Sequence, residues 1–154
     1  MAPKSRIALG LLAAALAGSA MAQKPATAGA KTFTVALSGQ EEVSAAKPTG
    51  GAGDLDATGS VTLTINPGSK QVCYDFDNVT GLSTITMAHI HEAPRLRNGP
   101  PVVTLFTGTG GDLEDCATAT SQQLAQIIAK PAQYYVNVHT TDFPAGAIRG
   151  QLSR

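Results

Sequence analysis

The sequence predicts an all-β fold, an antiparallel β-sandwich or Greek-key barrel of about seven strands with one short helix. Three observations carry that expectation. Short runs alternate apolar and polar residues with the two-residue period of a half-buried strand. Gly, Pro, Asn and Asp punctuate those runs at the spacing of sandwich and barrel turns. Helical spacing of apolar residues occurs in a single stretch, beginning at Leu124.

The chain opens with a segment to be set apart from the fold. Lys4 and Arg6 precede an apolar run, residues 7–17, and Ala20-Met21-Ala22 places small residues where a signal peptidase reads. This predicts a signal peptide over 1–22, cut after Ala22, and a secreted or periplasmic product without a transmembrane anchor. The apolar run is well short of the roughly 20 residues a membrane-spanning helix needs. Residues 23–31, QKPATAGAK, read as a flexible leader, and residues 32–152 as the domain.

In the domain, TFTVALSG alternates Phe33, Val35 and Leu37 with Thr32, Thr34 and Ala36, a strand. Residues 40–53, rich in Gly, Ala and Ser around Lys47-Pro48, form a loop. Val61, Leu63 and Ile65 then alternate with Ser60, Thr62 and Thr64, Asn66-Pro67-Gly68-Ser69 turns the chain, and Val72, Tyr74 and Phe76 alternate again. That is a β-hairpin with one apolar face. A strand over residues 85–92 carries two histidines, Pro100 to Phe106 gives the next, and residues 107–115 read as loop. Thr120-Ser121-Gln122-Gln123 fits a capping box for a helix bearing Leu124, Ile127 and Ile128 and stopped at Lys130-Pro131. QYYVNVHTT and GAIRGQL, separated by the Phe143-Pro144-Ala145-Gly146 turn, supply the last strands.

Cys73 and Cys116 are the two cysteines, and both fall in the exported part. An isolated pair in an oxidising compartment is expected as a disulfide. There is no Cys-x-x-Cys and neither cysteine neighbours a histidine, which argues against a redox or metal role. Loss of residues 1–22 removes Lys4 and Arg6, leaving nine basic against eleven acidic side chains and no basic cluster. Nucleic acid is therefore not an expected partner.

MAHIHEA, residues 87–93, holds the chemistry the sequence offers. In a strand, His89 and His91 share one face with Ile85 and Met87, and the third histidine, His139, lies on a late strand. If the three neutral imidazoles converge about 2 Å from one point, they bind copper or zinc and leave a position open. If they do not, His89 and His91 order the loop over 92–99 and His139 the turn to Phe143, by hydrogen bonds to backbone. The sequence leaves both readings standing. Glu92 sits on the opposite face from the histidine pair. Arg149 either holds an anion near the histidines or pairs with a carboxylate such as Asp142 or Glu92. No Gly-x-Ser-x-Gly and no glycine-rich phosphate loop occurs, so no catalytic constellation is complete.

MAHIHEAPRLRNGPPVVTLF and YYVNVHTTDFPAGAIRGQL resemble the CHRD domain, a module named from chordin and found in many short exported bacterial proteins. FTVALSGQEEV is similar to that family's first strand and Gln-Glu-Val element, here Gln40 or Glu41 through Val43, with Ser44 and Ala45 where a proline pair is usual. The resemblance implies an all-β domain without an established catalytic activity. AHIHE is also similar to the copper-binding strand of copper/zinc superoxide dismutases, with His139 comparable to their third copper histidine. No histidine lies between His91 and His139 to bridge two metals, so a dinuclear dismutase site is not expected. The leading expectation is a secreted or periplasmic non-catalytic binding module, its ligand an extracellular or envelope protein or surface. The alternative is a mononuclear copper-binding protein using His89, His91 and His139.

Overall fold

The computed structural model describes residues 29–154. The expected signal segment and residues 23–28 of the leader lie outside the described residues. The alternation read from the sequence becomes β1 (Lys31–Ser38), β2 (Thr58–Asn66), β3 (Gln71–Thr80), β4 (Ile85–Glu92), β5 (Pro101–Thr107) and β6 (Glu114–Thr118). After the helix α1 (Ser121–Ala129) come β7 (Tyr134–Thr140) and β8 (Ile148–Gln151). All eight strands belong to one sheet, in the order β5-β4-β7-β8-β1-β2-β3-β6, and every pairing is antiparallel. The edge strands β5 and β6 approach each other, so the sheet nearly closes into a barrel instead of stacking as a two-sheet sandwich.

Period-two alternation decides what fills the barrel. Phe33, Val35 and Leu37 of β1, Val61, Leu63 and Ile65 of β2, and Val72, Tyr74 and Phe76 of β3 all point inward and are buried. Tyr74, Phe76 and Phe106 pack edge-on or tilted at centroid distances of 5.8–6.0 Å. The capping box forms as expected, Thr120 accepting from the Gln123 backbone N–H while the Gln123 side chain accepts from the Thr120 backbone N–H. Leu124 and Ile127 then bury in the core, and the Ser121 hydroxyl donates to Pro67 O in the β2–β3 turn at 2.7 Å.

One strand more is present than expected. Residues 107–115 read as loop from the sequence, yet β6 begins at Glu114 and pairs with β3. Its sequence, EDCAT, has no buried face for alternation to reveal. It is held at the sheet edge by register, and Cys73 lies directly opposite Cys116 with the sulfurs 2.00 Å apart. The disulfide therefore pins an edge strand, not a connecting loop. Closing a 43-residue interval, it restricts the unfolded chain. The Cys73→Ser, Cys116→Ser double variant is expected to lose about 2–4 kcal/mol of stability in denaturant unfolding.

Strand β7 is buried along its whole length. Val136 and Val138 face the barrel interior, and on the other face Glu42 meets Asn137, Gly99 meets Tyr135 and Pro144 meets His139 through hydrogen bonds from neighbouring loops. These loops are stitched by hydrogen bonds from Asn98 Nδ2 to Val43 O at 3.0 Å and from Asp54 N–H to Ala147 O at 2.9 Å. The loops thus enclose a polar layer against the outside of the barrel.

Candidate metal centre

On β4, Ala88 and Ile90 enter the core, which turns Met87, His89 and His91 outward. In register on β7, Met87 stands opposite His139, His89 opposite Asn137, and His91 opposite Tyr135. The next strand over, β8, places Arg149 opposite Asn137 and Gln151 opposite Tyr135. One outer face therefore collects all the histidines of the chain.

The three rings converge. One nitrogen of each of His89, His91 and His139 lies within 4.8 Å of the others. His89 Nδ1 is 3.3 Å from His139 Nε2, and the ring centroids are 5.2, 5.5 and 6.2 Å apart. Backbone carbonyls orient two of the rings: His91 Nδ1–H donates to Gly99 O at 2.9 Å, and His139 Nδ1–H donates to Pro144 O at 3.0 Å. A ring held in that tautomer leaves its Nε2 lone pair free. His139 Nε2 receives the Nδ1–H of His89, while His91 Nε2 is buried without a partner.

Charge is disfavoured throughout this group. Burial, then repulsion from His139 and His91, pushes His89 down to about 4. Burial also lowers His91 and His139, against the opposing pull of their carbonyl acceptors. Lowered below the ordinary histidine value, the three imidazoles favour the neutral form at pH 7, and the lone pair of His91 Nε2 is unpartnered.

Tyr135 backs the cluster, stacking on His91 at 4.9 Å with an interplanar angle of 13°. The Arg149 guanidinium covers Tyr135, 3.3 Å from its ring centroid, and donates to Asn98 Oδ1 at 2.9 Å and Arg97 O at 2.5 Å. Arg149 thus pairs with neither Asp142 nor Glu92, the carboxylates the sequence suggested. It is 2% exposed, and the segment folded over it presents amide and carbonyl oxygens, which occupy its fork. Glu92, on the opposite face as expected, lies outside the cluster.

The family model of the CHRD domain matches residues 33–152, from the first core residue of β1 to Leu152 just past β8. The chain belongs to the CHRD domain family. No match is found among curated proteins or among solved structures.

Two further residues of this CHRD domain join the polar layer: Glu42, inside the stretch from Gln40 or Glu41 through Val43, and Asn137, to which the sequence assigns no role. Glu42 and Asn137 are each 3% exposed, and the Asn137 amide Nδ2–H donates to Glu42 Oε1. Asn137 shares the parity of Tyr135 and His139 in YYVNVHT, so alternation places it on their face; nothing local marks Glu42, within a Gly- and Ala-rich loop, as buried. Gly146, at φ +138°, makes room for the pair, since a Cβ there would meet Asn137 Nδ2 at 2.6 Å and Glu42 Oε1 at 2.8 Å.

Burial raises the Glu42 carboxyl from 4.5 to about 7, against the attraction of Arg149 and the Asn137 hydrogen bond. A carboxyl raised on folding contributes stability that is fully present below pH 4.5 and is lost as pH climbs through 7. Glu42→Gln, which keeps an amide oxygen as acceptor and removes the charge, is expected to exceed wild type by about 3 kcal/mol at pH 8 and by under about 1 kcal/mol at pH 5. Chemical denaturation at the two pH values checks this.

Proposed function

We propose that this CHRD protein is exported and binds a single copper ion through His89, His91 and His139. The observation that carries the reading is the convergence of three imidazole nitrogens within 4.8 Å of one another, with His91 Nε2 buried and unpartnered. The carbonyl hydrogen bonds account for the Nδ1 atoms of His91 and His139 and leave Nε2 of each as a ligand, that of His139 once copper displaces the His89 N–H it accepts. The hydrogen-bonding role and the metal role are therefore compatible, each using a different ring nitrogen.

An imidazole set suits zinc and copper, and divalent copper binds such sites more tightly than zinc by the usual order of first-row affinities. Three protein ligands leave a position open for a further group. Export is supported by the signal-like residues 1–22 and by the paired cysteines. No helix among the described residues is long and apolar enough to cross a membrane. Recognition of an envelope or extracellular ligand, the first expectation from sequence, names no residues; copper binding names three.

Titration of copper(II) into the purified chain is expected to give one tight equivalent, abolished in the His89→Ala variant. Equal weak binding by both proteins would overturn the reading.

A further inference from the structure

Besides His91 Nε2, two buried side-chain oxygens of this layer lack a partner, Gln151 Oε1 and Asn137 Oδ1, and Asn137 is the one in register with a histidine. Asn137 is opposite His89 in register and sits between Tyr135 and His139 on β7. Its side chain is 3% exposed, and its Oδ1 has no hydrogen-bond partner. A buried amide oxygen left in this state is costly, on the order of 1–3 kcal/mol, unless something else occupies its lone pairs.

What that oxygen is free to do follows from the clamp on its nitrogen. Glu42 reaches β7 from the β8 side, where a Cβ on Gly146 would touch its carboxyl and one on Gly53 would touch both its side chain and Ala147 O. Asn137 Nδ2 is directed there by its hydrogen bond to Glu42. The planar amide leaves Oδ1 outside that hydrogen bond, on a residue that stands opposite His89 of β4 in register. Where Glu42 is ionised, the two amide atoms cannot exchange places without losing the Glu42 hydrogen bond.

Resting on the three-histidine reading, we propose that Asn137 Oδ1 is the fourth ligand, completing a three-nitrogen, one-oxygen set that favours copper(II) over copper(I). An amide oxygen is a hard donor, suited to the divalent ion and a poor ligand for the soft monovalent one. Glu42 acts as a positioning residue, aiming the oxygen by holding the nitrogen.

The test compares wild type with Asn137→Leu for both oxidation states, by competition against a copper(II) chelator and, anaerobically, against a copper(I) chelator. Copper(II) affinity is expected to fall about tenfold or more with copper(I) affinity unchanged, which raises the reduction potential by about 59 mV for each factor of ten. A residue with a merely structural role would move both affinities together. Because the leucine variant leaves Glu42 without its donor, a second measurement uses the unmutated chain. The sequence has four asparagines, Asn66, Asn78, Asn98 and Asn137, and carbon-13 labelling of their amide carbons should give a hyperfine coupling in the pulsed EPR spectrum of the copper(II) form. No coupling together with unchanged copper(II) affinity in Asn137→Leu would overturn the Asn137 assignment alone. Absence of copper binding by wild type would overturn it along with the three-histidine site beneath it.

Discussion

Copper(II) held at about a thousandfold excess over its dissociation constant is expected to stabilise the wild-type chain by about 4 kcal/mol, an increase in Tm on the order of 10 °C. The stabilisation should vanish in His91→Ala and in His139→Ala. These variants separate the two roles of each ring. Removing His91 leaves Gly99 O without its donor and strips the stacked partner from Tyr135, so the metal-free variant should be less stable than wild type by about 1–3 kcal/mol. If the histidines serve only to order loops, that loss appears but copper raises the Tm of no protein, wild type included. Thermal unfolding of the three proteins with and without copper(II) distinguishes the outcomes.

Arg149→Leu is expected to cost about 3–5 kcal/mol. The side chain is almost wholly buried and performs three tasks at once: it donates to Asn98 and Arg97, it covers Tyr135, and it is the cation beside Glu42. Leucine keeps some bulk yet leaves Arg97 O and Asn98 Oδ1 without their donor and takes the opposing charge from a buried carboxyl. Arg149→Lys should recover little, because an ammonium has neither the planar face that stacks on Tyr135 nor the fork that reaches both oxygens. The effect should spread to the histidines, since the segment over 93–100 that Arg149 holds also carries Gly99 O, the acceptor for His91. Equilibrium unfolding measures the first effect and copper affinity the second; a leucine variant as stable as wild type would mean that the burial and stacking of Arg149 contribute little.

What the sequence reveals here follows the range of the interactions. Strands with one apolar face, such as Val61-Leu63-Ile65 and Val72-Tyr74-Phe76, were legible because alternation is a local consequence of burying one side of a pleated chain. The capping box at Thr120 was legible for the same reason, its partners lying three residues apart. Strand β6 was not, because an exposed edge strand buries no side and is defined by its partner β3. At the site, the common face of His89 and His91 came from the two-residue period, whereas the approach of His139 depends on the β4–β7 register across a 50-residue separation. Arg149 was expected to seek a carboxylate because residue identity advertises side-chain charge. Its actual acceptors include a backbone carbonyl, which every residue carries and no sequence pattern distinguishes. Glu42 was hidden for a related reason: its burial comes from a loop folding over β7 and β8, not from any periodicity of its own.

Crystals of the copper-loaded chain, with diffraction recorded on both sides of the copper absorption edge, locate the ion directly. One anomalous peak is expected per molecule, about 2 Å from His91 Nε2, from His139 Nε2 and from a nitrogen of His89. A peak at any other place, or none while His89 and His139 keep their mutual hydrogen bond, would contradict the three-histidine centre.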